Sequence, residues 1–62
     1  MNNLIVKTAE FFVYQAENSN IDNYARITDA FFTAGRTLSP HITTTQLREI
    51  WDYALYNLTG EV

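Results

Sequence analysis

The sequence contains no cysteine among its 62 residues. A domain of this length buries only about 60% of the surface that its unfolded chain exposes. Small domains are therefore often stabilised by disulfides or by zinc bound to thiolates. The sequence excludes both devices, and it also excludes a thiol nucleophile. We expect the fold to depend on the packing of apolar side chains.

Aromatic side chains provide much of the area for such packing. Four Phe, four Tyr and one Trp make up 15% of the chain, while charged residues make up 18%. Disordered segments are poor in aromatic residues and rich in charge, so this composition predicts a folded chain. The length predicts a single domain over residues 1–62.

Apolar residues recur with helical spacing in three segments, which are separated by short polar breaks at residues 18–20 and 35–41. We predict helices over about 3–17, 21–34 and 43–59. The aromatic run at residues 11–14 would also suit a strand, but no second strand is available to pair with it. The predicted fold is therefore all-α, a small three-helix orthogonal bundle.

Local signals mark the ends of these helices. Ser19 or Asn20 can cap the second helix, and Gly35 is expected to end it in the left-handed conformation. Thr43, followed three residues later by Gln46, predicts a capping box at the start of the third helix.

Residues 35–46, followed by Leu47, resemble the frame of an EF-hand loop, with the apolar Ile42 at the eighth position. The resemblance covers about a dozen residues. The positions that carry carboxylates or the invariant glycine in an EF-hand are occupied here by Gly35, Thr37, Ser39, Pro40 and Gln46. None of these side chains is anionic, so we predict an ordinary helix–loop–helix that binds no calcium.

The second and third helices could also form a helix-turn-helix that binds DNA. The exposed start of its recognition helix would carry Thr44, Thr45, Gln46 and Arg48. The predicted connector, residues 35–42, is longer than the three or four residues of that motif's turn. Glu49 and Asp52 would repel phosphates, and a net charge of −3 with four scattered bases lacks a basic face. A small DNA-binding regulator is therefore the alternative function.

Residues for catalysis or metal binding are few. His41 is the only histidine, and no serine or carboxylate is spaced to form a triad with it. The two glycines cannot form a phosphate-binding loop. We expect no enzymatic activity, cofactor or metal. The sequence shows no targeting segment and no apolar stretch of membrane length, so the expected location is cytoplasmic.

Four aromatic residues lie off the apolar stripes, and acidic residues flank them. The predicted contact residues are Glu10, Phe11, Tyr14, Glu49, Asp52, Tyr53 and Tyr56. Aromatic anchors are typical of protein interfaces. We therefore predict a non-catalytic protein–protein interaction module, an inhibitor or adaptor of the phage or mobile-element type. Its partner would be a basic or nucleic-acid-binding protein. Two alternatives remain for these rings, namely burial in a wide core and self-association into a homo-oligomer.

Overall fold

A computed structural model describes residues 3–60 of the chain. It contains α1 (Asn3–Glu17), α2 (Ile21–Leu38) and α3 (Thr44–Thr59). Residues 3–60 include no strand, so the aromatic run at residues 11–14 is helical. The predicted all-α three-helix bundle is confirmed.

Helix α1 is the central element of the bundle. It packs against both other helices, whereas α2 and α3 touch each other at only a few points. The buried face of α1 consists of Ile5, Ala9, Val13 and Ala16. These side chains are small or of moderate size, so both neighbouring helices can approach the α1 backbone closely.

Bulky aromatic rings fill the space beside α1. Phe31 of α2 is fully buried, with its ring centroid 6.1 Å from that of Phe12 on α1 and 5.5 Å from that of Trp51 on α3. Tyr24 packs edge-on against Trp51 at 6.0 Å, and the Trp51 Nε1 donates a hydrogen bond to the Tyr24 hydroxyl at 3.3 Å. The core thus joins one or more rings from each helix.

Helix α2 ends one turn later than predicted. Gly35 is helical and buried, and the cap is Ser39, whose backbone N–H donates to the Gly35 carbonyl at 2.9 Å. A Cβ atom at residue 35 would collide with the Leu47 side chain of α3. Gly35 therefore provides space for Leu47, and the expectation of a left-handed conformation there was wrong. The positive φ occurs instead at Gly60, which caps α3 with φ 76°.

The longer α2 corrects two expectations about the connector. Residues 35–38 are helical, so the loop between α2 and α3 has five residues, 39–43, and not about eight. The twelve-residue EF-hand frame is consequently not a loop, and the segment is the ordinary helix–loop–helix that the sequence predicts. The connector is also closer to the length of a helix-turn-helix turn than the sequence indicated.

The cap of α3 forms as predicted. The Thr43 hydroxyl accepts a hydrogen bond from the Gln46 backbone at 3.0 Å, and the Gln46 side chain accepts one from the Thr43 backbone at 2.9 Å. At α2, Asn20 is the N-cap, because its side chain accepts a hydrogen bond from the Asn23 backbone at 2.9 Å.

Three apolar residues that follow the helical spacing of α2 and α3 are exposed in the structure. Ile21 is 85% exposed, Leu58 is 45% exposed and Ala25 is exposed as well. Ile21 is the first residue of α2, and Leu58 belongs to the last turn of α3. Helical spacing gives the direction of a side chain but not whether a neighbouring helix extends far enough to cover it.

Gly35→Ala should destabilise the fold by about 1–3 kcal/mol, because the added methyl group meets the fully buried Leu47. The direction of the change in stability tests the role of Gly35, since Gly→Ala at an unhindered helical position would stabilise the fold by up to about 1 kcal/mol. Urea denaturation followed by circular dichroism measures the change. Thr37→Ala, at an exposed position of the same helix, is the control and should be neutral or slightly stabilising. A more stable Gly35→Ala protein would show that Leu47 does not fill this space.

Candidate functional site

The four aromatic residues predicted to lie off the apolar stripes are all exposed. Their exposed fractions are 60% for Phe11, 55% for Tyr14, 45% for Tyr53 and 52% for Tyr56. The core is complete without them, so none of these rings is needed to fill it. They form two pairs, one on α1 and one on α3.

The pair on α1 belongs to a stripe that we call the α1 face, formed by Leu4, Lys7, Phe11 and Tyr14. Their spacing of three, four and three residues places them on the side of α1 opposite its buried residues. The Phe11 ring packs edge-on against that of Phe12 at 5.6 Å, and Phe12 is itself half-buried against the core. Glu10 lies on the flank of this face and is partly buried.

The pair on α3 belongs to a second surface, the α3 face, formed by Glu49, Asp52, Tyr53 and Tyr56. All four side chains are exposed. Arg48 and Asp52 stand one turn apart but form no ion pair within 4.0 Å. Neither carboxylate of the α3 face is neutralised by a cation in residues 3–60, so both are available to a partner.

The predicted contact residues therefore fall on two surfaces. Within the described part of the chain, no ring contact joins Phe11 or Tyr14 to Tyr53 or Tyr56. We treat the α1 face and the α3 face as separate surfaces, each of which presents two aromatic rings.

A groove that the sequence did not indicate runs between α2 and α3, where the two helices barely touch. It encloses about 390 Å³ and is lined by Tyr24, Thr28, Asp29, Phe32, Arg48, Trp51, Asp52 and Leu55. The spacing of residues within α2 could not reveal this groove, because it depends on the distance between two helices.

A second groove of about 470 Å³ lies on the other side of α3. It is lined by Ile5, Ser39, His41, Ile42, Gln46, Glu49 and Ile50. Glu49 thus borders one groove and Asp52 the other, so the α3 face lies between two concave surfaces. Ser39, His41 and Glu49 line the same groove, but no hydrogen bond connects these three side chains, so the geometry shows no proton relay.

The side chains predicted to contact DNA are partly engaged within the protein. Gln46 belongs to the capping box, and the Thr44 hydroxyl accepts a hydrogen bond from the Arg36 guanidinium at 3.0 Å. Thr45 and Arg48 remain exposed.

Two further features of residues 3–60 concern metal ions and membranes. No three His, Asp or Glu side chains converge closely enough to hold one metal ion. No helix in this range combines the length and the apolar character needed to cross a bilayer.

Comparison of the chain with protein-family models, with curated proteins and with solved structures finds no match.

Tyr53→Ala and Tyr56→Ala should each change the free energy of unfolding by no more than about 0.5 kcal/mol, because both rings are about half exposed and outside the core. Trp51→Ala, a buried aromatic of the same helix, should cost about 3–5 kcal/mol. Chemical denaturation of the three variants checks this difference. A loss near that of Trp51→Ala for either tyrosine would place its ring in the core.

Proposed function

We propose that the chain is a non-catalytic protein–protein interaction module, acting as a small inhibitor or adaptor, and that the α3 face is its principal contact surface. The observation that carries this proposal is the pairing of two exposed rings, Tyr53 and Tyr56, with two unpaired carboxylates, Glu49 and Asp52.

The physical argument begins with the rings. A tyrosine ring covers a large area and loses few rotamers when it is immobilised, so exposed tyrosines are effective anchors in interfaces. The grooves on either side of the α3 face would accept protruding side chains of a partner, which increases the area that one helix can bury.

Charge indicates the type of partner. The chain carries a net charge of −3, and Glu49 and Asp52 add two negative charges on the α3 face itself. Such a surface attracts a positively charged one and raises the rate of encounter with it. The partner is therefore a basic protein, including proteins that bind nucleic acids through basic surfaces.

Affinity capture from a lysate of the organism that encodes the chain tests this function. We expect the wild-type protein to retain a partner, and the Tyr53→Ala/Tyr56→Ala double variant to lose most of it. Glu49→Gln/Asp52→Asn should weaken retention, and should do so most at low ionic strength, where charge attraction is strongest. Asp22→Asn, an exposed acid on α2, is the matched control and should behave as wild type. Identical capture by all variants would contradict the assignment of the α3 face.

A DNA-binding regulator is the second candidate, because the connector of five residues is shorter than the sequence suggested. In that case binding to duplex DNA should weaken steeply as salt rises and should be lost in Arg48→Ala. Fluorescence anisotropy with a labelled DNA duplex, starting at low salt, measures this binding. We expect no binding, because Glu49 and Asp52 follow Arg48 on the same exposed helix; salt-sensitive binding that depends on Arg48 would favour the regulator.

A further inference from the structure

The groove between α2 and α3 combines charged side chains at its rim with aromatic rings deeper inside. Its charged members are exposed, namely Asp29 on α2 with Arg48 and Asp52 on α3. Its aromatic members are buried or half-buried, namely Tyr24, Phe32 and Trp51. The volume of about 390 Å³ falls at the lower end of the range of small-ligand sites, about 300–1,000 Å³. The groove therefore has room for one long side chain of another protein.

We propose that this groove binds an arginine side chain of the basic partner, with the guanidinium between the carboxylates of Asp29 and Asp52 and against the aromatic rings. The inference rests on the proposed function, because it names the group of the partner that the groove recognises. It adds to the α3 face a contact on α2, since Asp29 belongs to that helix.

Charge complementarity favours a cation in the groove. The lining residues carry two carboxylates and one guanidinium, which gives a net charge of −1. Neither Asp29 nor Asp52 forms an ion pair within 4.0 Å with any cation of residues 3–60. The two carboxylates stand on different helices, and a guanidinium has five N–H donors in one plane, so a single arginine can donate to both.

The aromatic rings favour a guanidinium over the ammonium of lysine. A guanidinium is flat and more weakly hydrated, so it stacks on rings and loses less when it leaves water. The Phe32 ring already attracts one, because the guanidinium carbon of Arg36 lies 5.8 Å from its centroid. Arg36 is not among the residues that line the groove, and it donates a hydrogen bond to the Thr44 hydroxyl at 3.0 Å. The chain thus shows on its own ring the contact that we assign to the partner.

Arg48 is the one cation that lines the groove, and it opposes the entry of a second guanidinium. An isolated arginine should therefore bind only in the millimolar range, a free energy of about −4 kcal/mol. Removal of the Arg48 charge should strengthen the binding of arginine. The DNA-binding alternative predicts the opposite direction for its own ligand, since loss of Arg48 would abolish the binding of DNA.

NMR titration of the isotope-labelled protein with a blocked peptide, one arginine between two glycines, tests the proposal. Trp51 is the only tryptophan, so its indole N–H provides a single signal from inside the groove. We expect this signal and the amide signals of Asp29 and Asp52 to shift together as the peptide binds. The same peptide with citrulline, an uncharged analogue of arginine, should bind about tenfold more weakly, and a lysine peptide should bind with intermediate affinity.

Single substitutions locate the site. Asp29→Asn and Asp52→Asn should each weaken the binding of the arginine peptide by about two- to fivefold, as expected for exposed ion pairs. Asp22→Asn changes the net charge equally at an exposed position outside the groove, so it is the matched control and should bind as wild type. Arg48→Gln should strengthen binding, whereas Arg26→Gln, an exposed arginine outside the groove, should not.

Three results would each overturn the proposal: equal binding of the arginine and citrulline peptides, unchanged binding by the Asp29→Asn/Asp52→Asn double variant, or no shift of the Trp51 indole signal up to about 50 mM peptide. Circular dichroism checks that the variants remain folded. A short peptide replaces the partner here, so a negative titration leaves the proposed role of the α3 face to the capture experiment. A positive titration with no captured partner would keep the arginine site and contradict the interaction module.

Discussion

The contact of Phe31 with a ring from each neighbouring helix is the interaction on which the rest of the structure depends. Phe31 is fully buried, and its ring lies 6.1 Å from that of Phe12 and 5.5 Å from that of Trp51. Helices α2 and α3 approach each other at few points, and these rings join them together with the packing of Leu47 against Gly35 and the hydrogen bond from Arg36 to Thr44. The small residues on the inner face of α1 allow the link to form, because bulky side chains there would hold the other two helices apart.

A core built in this way has a consequence for the surface. The aromatic rings that pack in it come from α1, α2 and α3, and within residues 3–60 no buried side-chain polar atom lacks a hydrogen-bond partner. The rings of the α1 and α3 faces lie outside that core. Exposed rings on a small domain weaken its solubility without stabilising it, so their presence favours a role in binding.

Structural features that depend on residues close together in the sequence were predicted well. The capping box of Thr43 and Gln46 is a local arrangement, and the start of α3 was predicted correctly for that reason. The meaning of Gly35 was missed, because the space it provides is occupied by Leu47 of another helix. The exposure of Ile21 and the groove between α2 and α3 likewise depend on neighbouring helices and not on adjacent residues. Spacing along one helix carries no information on how far its neighbours extend.

Charge on the α3 face also limits what can bind there. A second copy on the α3 face would bring Glu49 and Asp52 of one chain toward the same carboxylates of the other, and no cation on that face would neutralise them. Like charges brought together in this way cost several kcal/mol at an interface, which is why we propose a partner of opposite charge for the α3 face.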